Sequence, residues 1–176
     1  MSLYFVTGIS GSGKSAVCME LKSRGYESYD TDDDGLSKWQ NVTTGYIHPK
    51  SSVKSEDRTD DFLRSHRWNV SQRDVEELAK NAAHKSIFLC GVAGNVDELK
   101  HSFKSVFALI IDEEAIKNRL ANRTNNSWGK QAHELALTLK QLSHLDQKYK
   151  TAGYIVIDAS QPVARVVDEI LARSNV

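Results

Sequence analysis

The sequence predicts an α/β fold in three layers, a five-stranded parallel sheet with helices on both faces. Three observations predict it. Short apolar runs rich in β-branched and aromatic residues alternate with segments of helical period along the whole 176-residue chain. Those runs are continuously apolar rather than apolar at every second position, as expected for strands covered on both sides. Each is followed by a glycine or an acidic turn and then by a helical pattern, which is the signature of repeated strand–helix–strand units.

The elements follow in order. Leu3-Tyr4-Phe5-Val6-Thr7 is a buried strand ending at Gly8. Lys14 to about Arg24 is a helix with Val17, Cys18 and Leu21 on one face, stopped at Gly25. Tyr26 to Tyr29 is the second strand and runs into Asp30-Thr31-Asp32-Asp33-Asp34-Gly35. Between Leu36 and about Val53 there is no clean period, and Thr, Gly, Asn, Ser and Pro49 predict loop with short helical pieces. Glu56 to His66 reads as a short charged helix. Ser71 caps a further helix to about Lys85, with Val75, Leu78, Ala79 and Ala82 as its apolar stripe. Ser86 to Cys90 is the third strand, Asn95 to about His101 a short helix, and Ser105 to Ile111 the fourth strand. Glu113 to Asn122 and Lys130 to about Lys150 are helices, the second carrying Leu135, Leu139, Leu142 and Leu145. Tyr154 to Ile157 is the fifth strand. Gln161 to Arg173 closes the chain as a helix with Val163, Val166, Val167, Ile170 and Leu171 facing in.

Bulk properties bound the function. An apolar share of 40% and a charged share of 26% are ordinary for a soluble globular chain. The length suits a single domain over 1–176. Formal net charge is zero and the pI is about 7.0, so composition gives no support for general nucleic-acid binding. No run of about 18 apolar residues predicts a membrane span. Cys18 and Cys90 show no CxxC spacing and sit in apolar runs, so they read as buried free thiols suited to a reducing compartment. A cytoplasmic protein, monomer or homodimer, is the expectation. His48, His84, His101, His133 and His144 lack metal-ligand spacing and read as surface or packing residues.

Gly8-Ile9-Ser10-Gly11-Ser12-Gly13-Lys14-Ser15 is a complete GxxxxGKS phosphate-binding loop, or P-loop. It lies directly after a strand and before a helix, the setting its chemistry requires. Glycines let the backbone curl so that N–H groups, up to Ala16, point at phosphate oxygens. The following helix directs its positive end at the same anion. Lys14 brings a full charge to the β- and γ-phosphates, and Ser15 a hydroxyl for Mg²⁺. The expected fold is therefore the P-loop NTPase fold, with nucleotide as ligand.

Two patterns bear on the reaction. Leu109-Ile110-Ile111-Asp112-Glu113 matches the apolar-run-then-acid signature of ATPase motors, in which Asp holds Mg²⁺ and Glu activates water. The same two acids begin a helix, where negative charge favours the dipole, and this reading is preferred. The second pattern is the series of residues at the carboxyl ends of the strands, where open α/β sheets bind ligands. Asp30-Thr31-Asp32, Cys90-Gly91, Arg119-Leu120-x-x-Arg123 and Asp158-Ala159-Ser160-Gln161-Pro162-Val163 follow the second, third, fourth and fifth strands. With the P-loop they resemble the small-molecule kinases of the P-loop superfamily, the nucleoside monophosphate kinase and shikimate kinase group.

That resemblance implies an ATP- and Mg²⁺-dependent phosphotransferase moving the γ-phosphoryl group to a small-molecule acceptor. Asp30 is implied to organise Mg²⁺, and Asp32, or Asp33 in its place, to contact the acceptor hydroxyl. Arg119 and Arg123 are implied at the base of a short lid over about 123–130, on the ATP phosphates. Ser160 and Pro162 belong to the loop implied to pack on adenine. The acceptor region is implied over about 33–70, where Arg58, Arg64 and Arg67 are candidate ligands, with Arg58 and Arg64 on one helical face and Arg67 ending it. Gly91 and Asn95 are candidates for close approach to the acceptor. The Asp-Gly-Phe-Pro-Arg of nucleoside monophosphate kinases is absent after the third strand, and so is the glycine triplet of shikimate kinases. A nucleoside monophosphate kinase and a nucleotide-dependent regulatory ATPase or binding module remain as alternatives.

Overall fold

The computed structural model describes residues 2–49, 52–122, 128–129 and 131–176. Five strands form one parallel sheet: β1 (Leu3–Gly8), β2 (Glu27–Asp30), β5 (Ile87–Cys90), β6 (Ser105–Ile110) and β7 (Ile155–Asp158). Their spatial order is β2-β5-β1-β6-β7, so the strand leading into the P-loop lies at the centre. The five strands agree with the expected ones to within about a residue. β-alternation sorts their side chains onto two buried faces. Tyr4, Val6, Phe88, Cys90, Phe107, Leu109 and Ile157 share one cluster with Val17, Cys18 and Leu21 of α1 (Lys14–Ser23) and Val166, Val167 and Ile170 of α6 (Val163–Ser174). Leu3, Phe5, Ile87, Leu89 and Val106 pack the other face with Val75 of α3 (Gln72–Asn81). A third cluster joins Ala108 to Ile116 and Leu120 of α4 (Glu113–Asn122) and Leu145 and Tyr149 of α5 (Ala132–Thr151). Each fully buried large side chain here contributes about 1.5–3 kcal/mol.

Ser71 caps α3 as expected, its hydroxyl accepting from the Asp74 N–H at 3.3 Å. Val163, expected to face inward, stands 37% exposed at the first turn of α6. Cys18 and Cys90 are buried and free. They come together between α1 and β5, where hydrogen bonding to Cys90 holds the Cys18 thiol below its usual range. No helix among the described residues is long and apolar enough to cross a membrane.

Two regions depart from expectation. The short helix expected from Asn95 to about His101 is instead a series of turns ending in a three-residue 3-10 helix, Lys100–Ser102. The stretch after the second strand is not loop with helical pieces. Residues Ser37–Asn41 form β3 and His66–Val70 form β4, paired antiparallel as a separate two-stranded ribbon. The register sets Ser37 opposite Val70, Trp39 opposite Trp68 and Asn41 opposite His66. The charged helix is also shorter than expected. α2 spans only Asp60–Ser65, so Arg58 precedes it and Arg67 lies in β4.

Candidate active site

The P-loop is built from the end of β1 into α1. Gly13 holds the residue before the helix at φ 102°, a left-handed conformation that a side chain would strain. No side chain caps the first turn of α1 and no acid lies in it, so its positive end is left for an anion. Lys14 folds back over the loop, with Nζ 2.8 Å from the Ile9 carbonyl. Ser15 is the second residue of the helix. Among the described residues no cluster of three His, Cys, Asp or Glu could hold a metal. The donor set nonetheless fits Mg²⁺, which is held by few protein oxygens and mostly by phosphates and water.

Arg119 reaches from α4 onto this loop. Its Nη1 lies 3.4 Å from the Gly11 carbonyl and 3.3 Å from that of Ser12, and Nη2 donates to the Ala159 carbonyl at 3.2 Å. One guanidinium thus ties the phosphate loop to the turn after β7. Ser160 and Pro162 lie on that turn. The Ser160 N–H donates to Asp158 at 2.9 Å, and hydrogen bonds from Ser160 hold the Asp158 carboxyl below the usual range. Arg123 and most of the expected lid lie outside the described residues.

The acidic turn after β2 is organised by Asp30. Its buried carboxylate accepts from the backbone N–H groups of Asp32 (3.0 Å) and Asp33 (3.3 Å). This presents Asp32 to the indole N–H of Trp68, which donates to its carboxylate at 2.8 Å. Burial pushes the Asp32 carboxyl above its usual range, opposed by the Trp68 hydrogen bond and by the charge of Lys14. Asp32 and Lys14, eighteen positions apart in the sequence, therefore act on one another across the site. Asp33 is exposed.

The other expected acceptor ligands are occupied elsewhere. Arg58 is buried in an ion pair with Glu134 of α5, Nε to Oε1 at 3.0 Å, with side-chain exposures of 11% and 0%. Those two atoms lack the alignment of a hydrogen bond, so the attraction between them is Coulombic. The Arg58 guanidinium also lies 5.6 Å from the Trp128 ring centre. Arg64 is 79% exposed and pairs with Asp61 at 3.5 Å. Arg67 is exposed, and strand alternation places it on the face of the ribbon opposite Trp39 and Trp68. Asn95 brackets the end of β4, accepting from Val70 N–H at 3.1 Å and donating to its carbonyl at 2.9 Å. Gly91 is crowded by protein: a Cβ there would meet Thr31 Oγ1 at 1.8 Å. Its smallness lets the Asp30–Asp32 turn pack against β5.

Sequence reasoning missed the aromatic cluster beside Asp32. The three tryptophans of the chain converge, Trp39 lying 5.2 Å from Trp68 and 6.4 Å from Trp128 between ring centres. Phe62 of α2 meets Trp39 at 5.3 Å and stacks on His66 at 3.9 Å. His48, read as a surface or packing residue, packs against Phe62 and lies 3.1 Å from His66, Nε2 to Nε2. The available signal was two tryptophans and two histidines within the acceptor region. Two surface hollows of about 510 and 420 Å³, lined by residues such as His144 and Lys148 or Tyr26 and Tyr29, lie away from these groups and carry none of the P-loop chemistry.

A family model described as an AAA domain matches residues 5–140, from β1 into α5. The chain belongs to the AAA domain family. No curated protein sequence matches this AAA domain. Solved structures share its fold over nearly its whole length. A shikimate kinase from Acinetobacter baumannii in complex with shikimate aligns with a TM-score of 0.63 and 19% identity, over 99% of this chain and 94% of that one. A sugar kinase from Janibacter sp. aligns with a TM-score of 0.57 and 21% identity, over 98% and 93%. A deoxyadenosine kinase from M. mycoides with bound dATP aligns with a TM-score of 0.57 and 13% identity, over 100% of both chains. This AAA domain therefore has the architecture of P-loop small-molecule kinases.

Proposed function

We propose that this chain is a phosphotransferase that uses ATP and Mg²⁺ to phosphorylate a hydroxyl of a small-molecule acceptor. The observation that carries the reading is Asp32: a carboxylate with its pKa raised by burial, oriented by the Trp68 indole and acted on by the charge of the P-loop lysine. A base near a phosphate loop that is more basic than an ordinary carboxylate suits a hydroxyl nucleophile. Bound ATP supplies the phosphoryl group, and Mg²⁺ neutralises charge on its phosphates. Asp32 would orient the acceptor hydroxyl and take its proton as the new O–P bond forms and the bond to ADP breaks. Lys14 and Arg119 would hold negative charge spread over the transferring group, with Arg123 as a further cation. Ser15 would hold Mg²⁺, while Asp30 would set the turn that presents Asp32. Ser160 and Pro162 would border the adenine. Two buried free thiols suit a cytoplasmic setting.

A second reading, a nucleotide hydrolase, draws on the AAA family match and on Asp112-Glu113 at the end of β6, which neighbours β1. The side chains argue against it. Asp112 is exposed and accepts from the Ala115 N–H at 2.8 Å as a helix cap, and Glu113 pairs with Lys117 at 2.5 Å.

ADP release measured across a panel of hydroxyl compounds separates the two. The proposal expects acceptor-stimulated release that falls roughly 10²–10⁴-fold in Asp32→Asn. Acceptor-independent hydrolysis throughout, lost in Asp112→Asn and kept in Asp32→Asn, would overturn it.

A further inference from the structure

Charge and shape on the acceptor side restrict what can sit beside Asp32. The charge of Lys14, which belongs to the phosphate loop, acts on Asp32. Asp30 and Asp33 add like charge. Among the described residues the three arginines of the acceptor region are otherwise placed: Arg58 is paired with buried Glu134, Arg64 is exposed, and Arg67 lies on the far face of the ribbon. Lys38 shares that far face with Arg67.

The near face is aromatic and carries no Asp, Glu, Lys or Arg. Ser37, Trp39 and Asn41 of β3 face Val70, Trp68 and His66 of β4. His66 is held in place by its neighbours: Nδ1 lies 3.1 Å from the Phe62 carbonyl and 3.0 Å from Ser65 Oγ. Asn41 Oδ1 accepts from the N–H groups of Thr43 and Thr44, which turns Nδ2 toward His66 Nε2 at 3.4 Å, and His48 Nε2 lies 3.1 Å from the same nitrogen. Trp39, Trp68 and Trp128 stand half-buried, with area left for a partner.

We infer that the acceptor is an uncharged hydroxyl compound with a flat ring face, a nucleoside or a cyclic sugar rather than a hydroxy acid or a phosphate ester, stacked on the tryptophan cluster with its hydroxyl at Asp32. This rests on the phosphotransferase reading and narrows it. A ring face on indole releases water from both surfaces and retains offset or edge-on contact. An acceptor carboxylate would be desolvated beside Asp30, Asp32 and Asp33, and none of the three described arginines of the acceptor region is set to meet it.

The test uses matched pairs that keep the same hydroxyls and differ by one carboxylate: methyl glucuronate against glucuronate, thymidine against 5-carboxy-2′-deoxyuridine, and cytidine against 5-carboxycytidine. ADP release is followed with ATP, alongside tryptophan fluorescence with a non-hydrolysable ATP analogue. At least one neutral member is expected to exceed its charged partner roughly 10- to 100-fold in kcat/KM and to quench tryptophan emission. Trp39→Leu should raise KM for that acceptor about 5- to 150-fold, the range for loss of a stacked ring. Trp39→Phe should restore most of it. Equal or better use of the charged members, or a KM unmoved by Trp39→Leu in folded protein, overturns the inference and leaves the phosphotransferase standing. ADP release that no acceptor stimulates overturns both.

Discussion

The buried Arg58–Glu134 pair gives the sharpest test of how the acceptor region is held to the rest of the chain. Arg58 precedes α2, and Glu134 lies in the first turn of α5, so the pair joins two segments far apart in sequence. Glu134 is fully buried, and its second oxygen accepts from the Gly129 N–H at 2.8 Å. Replacing Arg58 by Met removes the cation and leaves that carboxylate buried. Stranding a buried charge costs about 3–5 kcal/mol, against the few tenths expected of an exposed pair. For a domain of this size each kcal/mol moves the midpoint by about 2–4 °C, so Tm should fall by roughly 6–20 °C. Thermal and urea unfolding followed by tryptophan fluorescence measure it, since Trp128 lies against Arg58. Adding Glu134→Leu removes the stranded charge and should recover most of the loss, short by about 1 kcal/mol for the Gly129 bond. Glu134→Gln alone keeps that acceptor and should fall between wild type and Arg58→Met. A loss below about 1 kcal/mol in Arg58→Met, or a double variant no more stable than Arg58→Met, would refute the buried-pair argument and reopen Arg58 as a ligand.

Two further predictions concern the site itself. The folded pKa of Asp32 is raised above its unfolded value, so its ionisation weakens the fold: the favourable contribution is present below the unfolded value and is lost as pH rises through the raised one. Asp32→Asn should therefore raise Tm at neutral pH, with the gain vanishing in acid, and wild-type transfer should fall on acidification at a pH above the ordinary carboxylate range. Arg119→Ala should lower kcat about 10²–10³-fold, with Arg119→Lys intermediate because an ammonium cannot bridge the loop and the Ala159 turn together. Equal kcat in the two variants would argue that only charge matters there.

The donor half was legible because its chemistry is local. Eight consecutive residues between a strand and a helix define the P-loop, and the spacing of Arg119 on α4 follows from helical period alone. What Arg119 touches was not legible, since the Gly11, Ser12 and Ala159 carbonyls come from two other connections. The ribbon was missed for a physical reason. β3 and β4 have five residues each, and their near faces carry Ser37, Trp39, Asn41, His66, Trp68 and Val70. Half of those positions are polar, so no alternation of apolar and polar residues marks the strands. They stand as strands through pairing with each other, which no window on one of them reveals. Glu134 looked like an ordinary acid at a helix start until Arg58 was brought to it. Arg58, Arg64 and Arg67 invited a common role because a helix was expected through His66. Once that helix ends at Ser65, strand alternation sends Arg67 away from Trp68.

The location of the ribbon also has a topological reason. β2 and β5 are parallel neighbours, so the chain must cross over between them, and a dozen or so residues with one helix suffice. Here the connection runs from 31 to 86 and contains β3, α2, β4 and α3. Only α3 serves as the crossover helix, its Val75 buried against the sheet. The remainder is free of that duty, and it leaves β2 at the carboxyl edge of the sheet, the edge on which the P-loop also lies. A phosphate chain demands one backbone geometry from any P-loop, so the donor half has little room to vary. The long crossover has no such constraint. It brings Trp68 to Asp32, Trp39 to Trp68 and Phe62 to Trp39, and it leaves Arg64 and Arg67 exposed while Arg58 pairs with Glu134 of α5. On the proposed function, specificity for the acceptor would belong to the ribbon, and exchanging ribbon residues should alter which hydroxyl compound is used before it alters how the nucleotide is held.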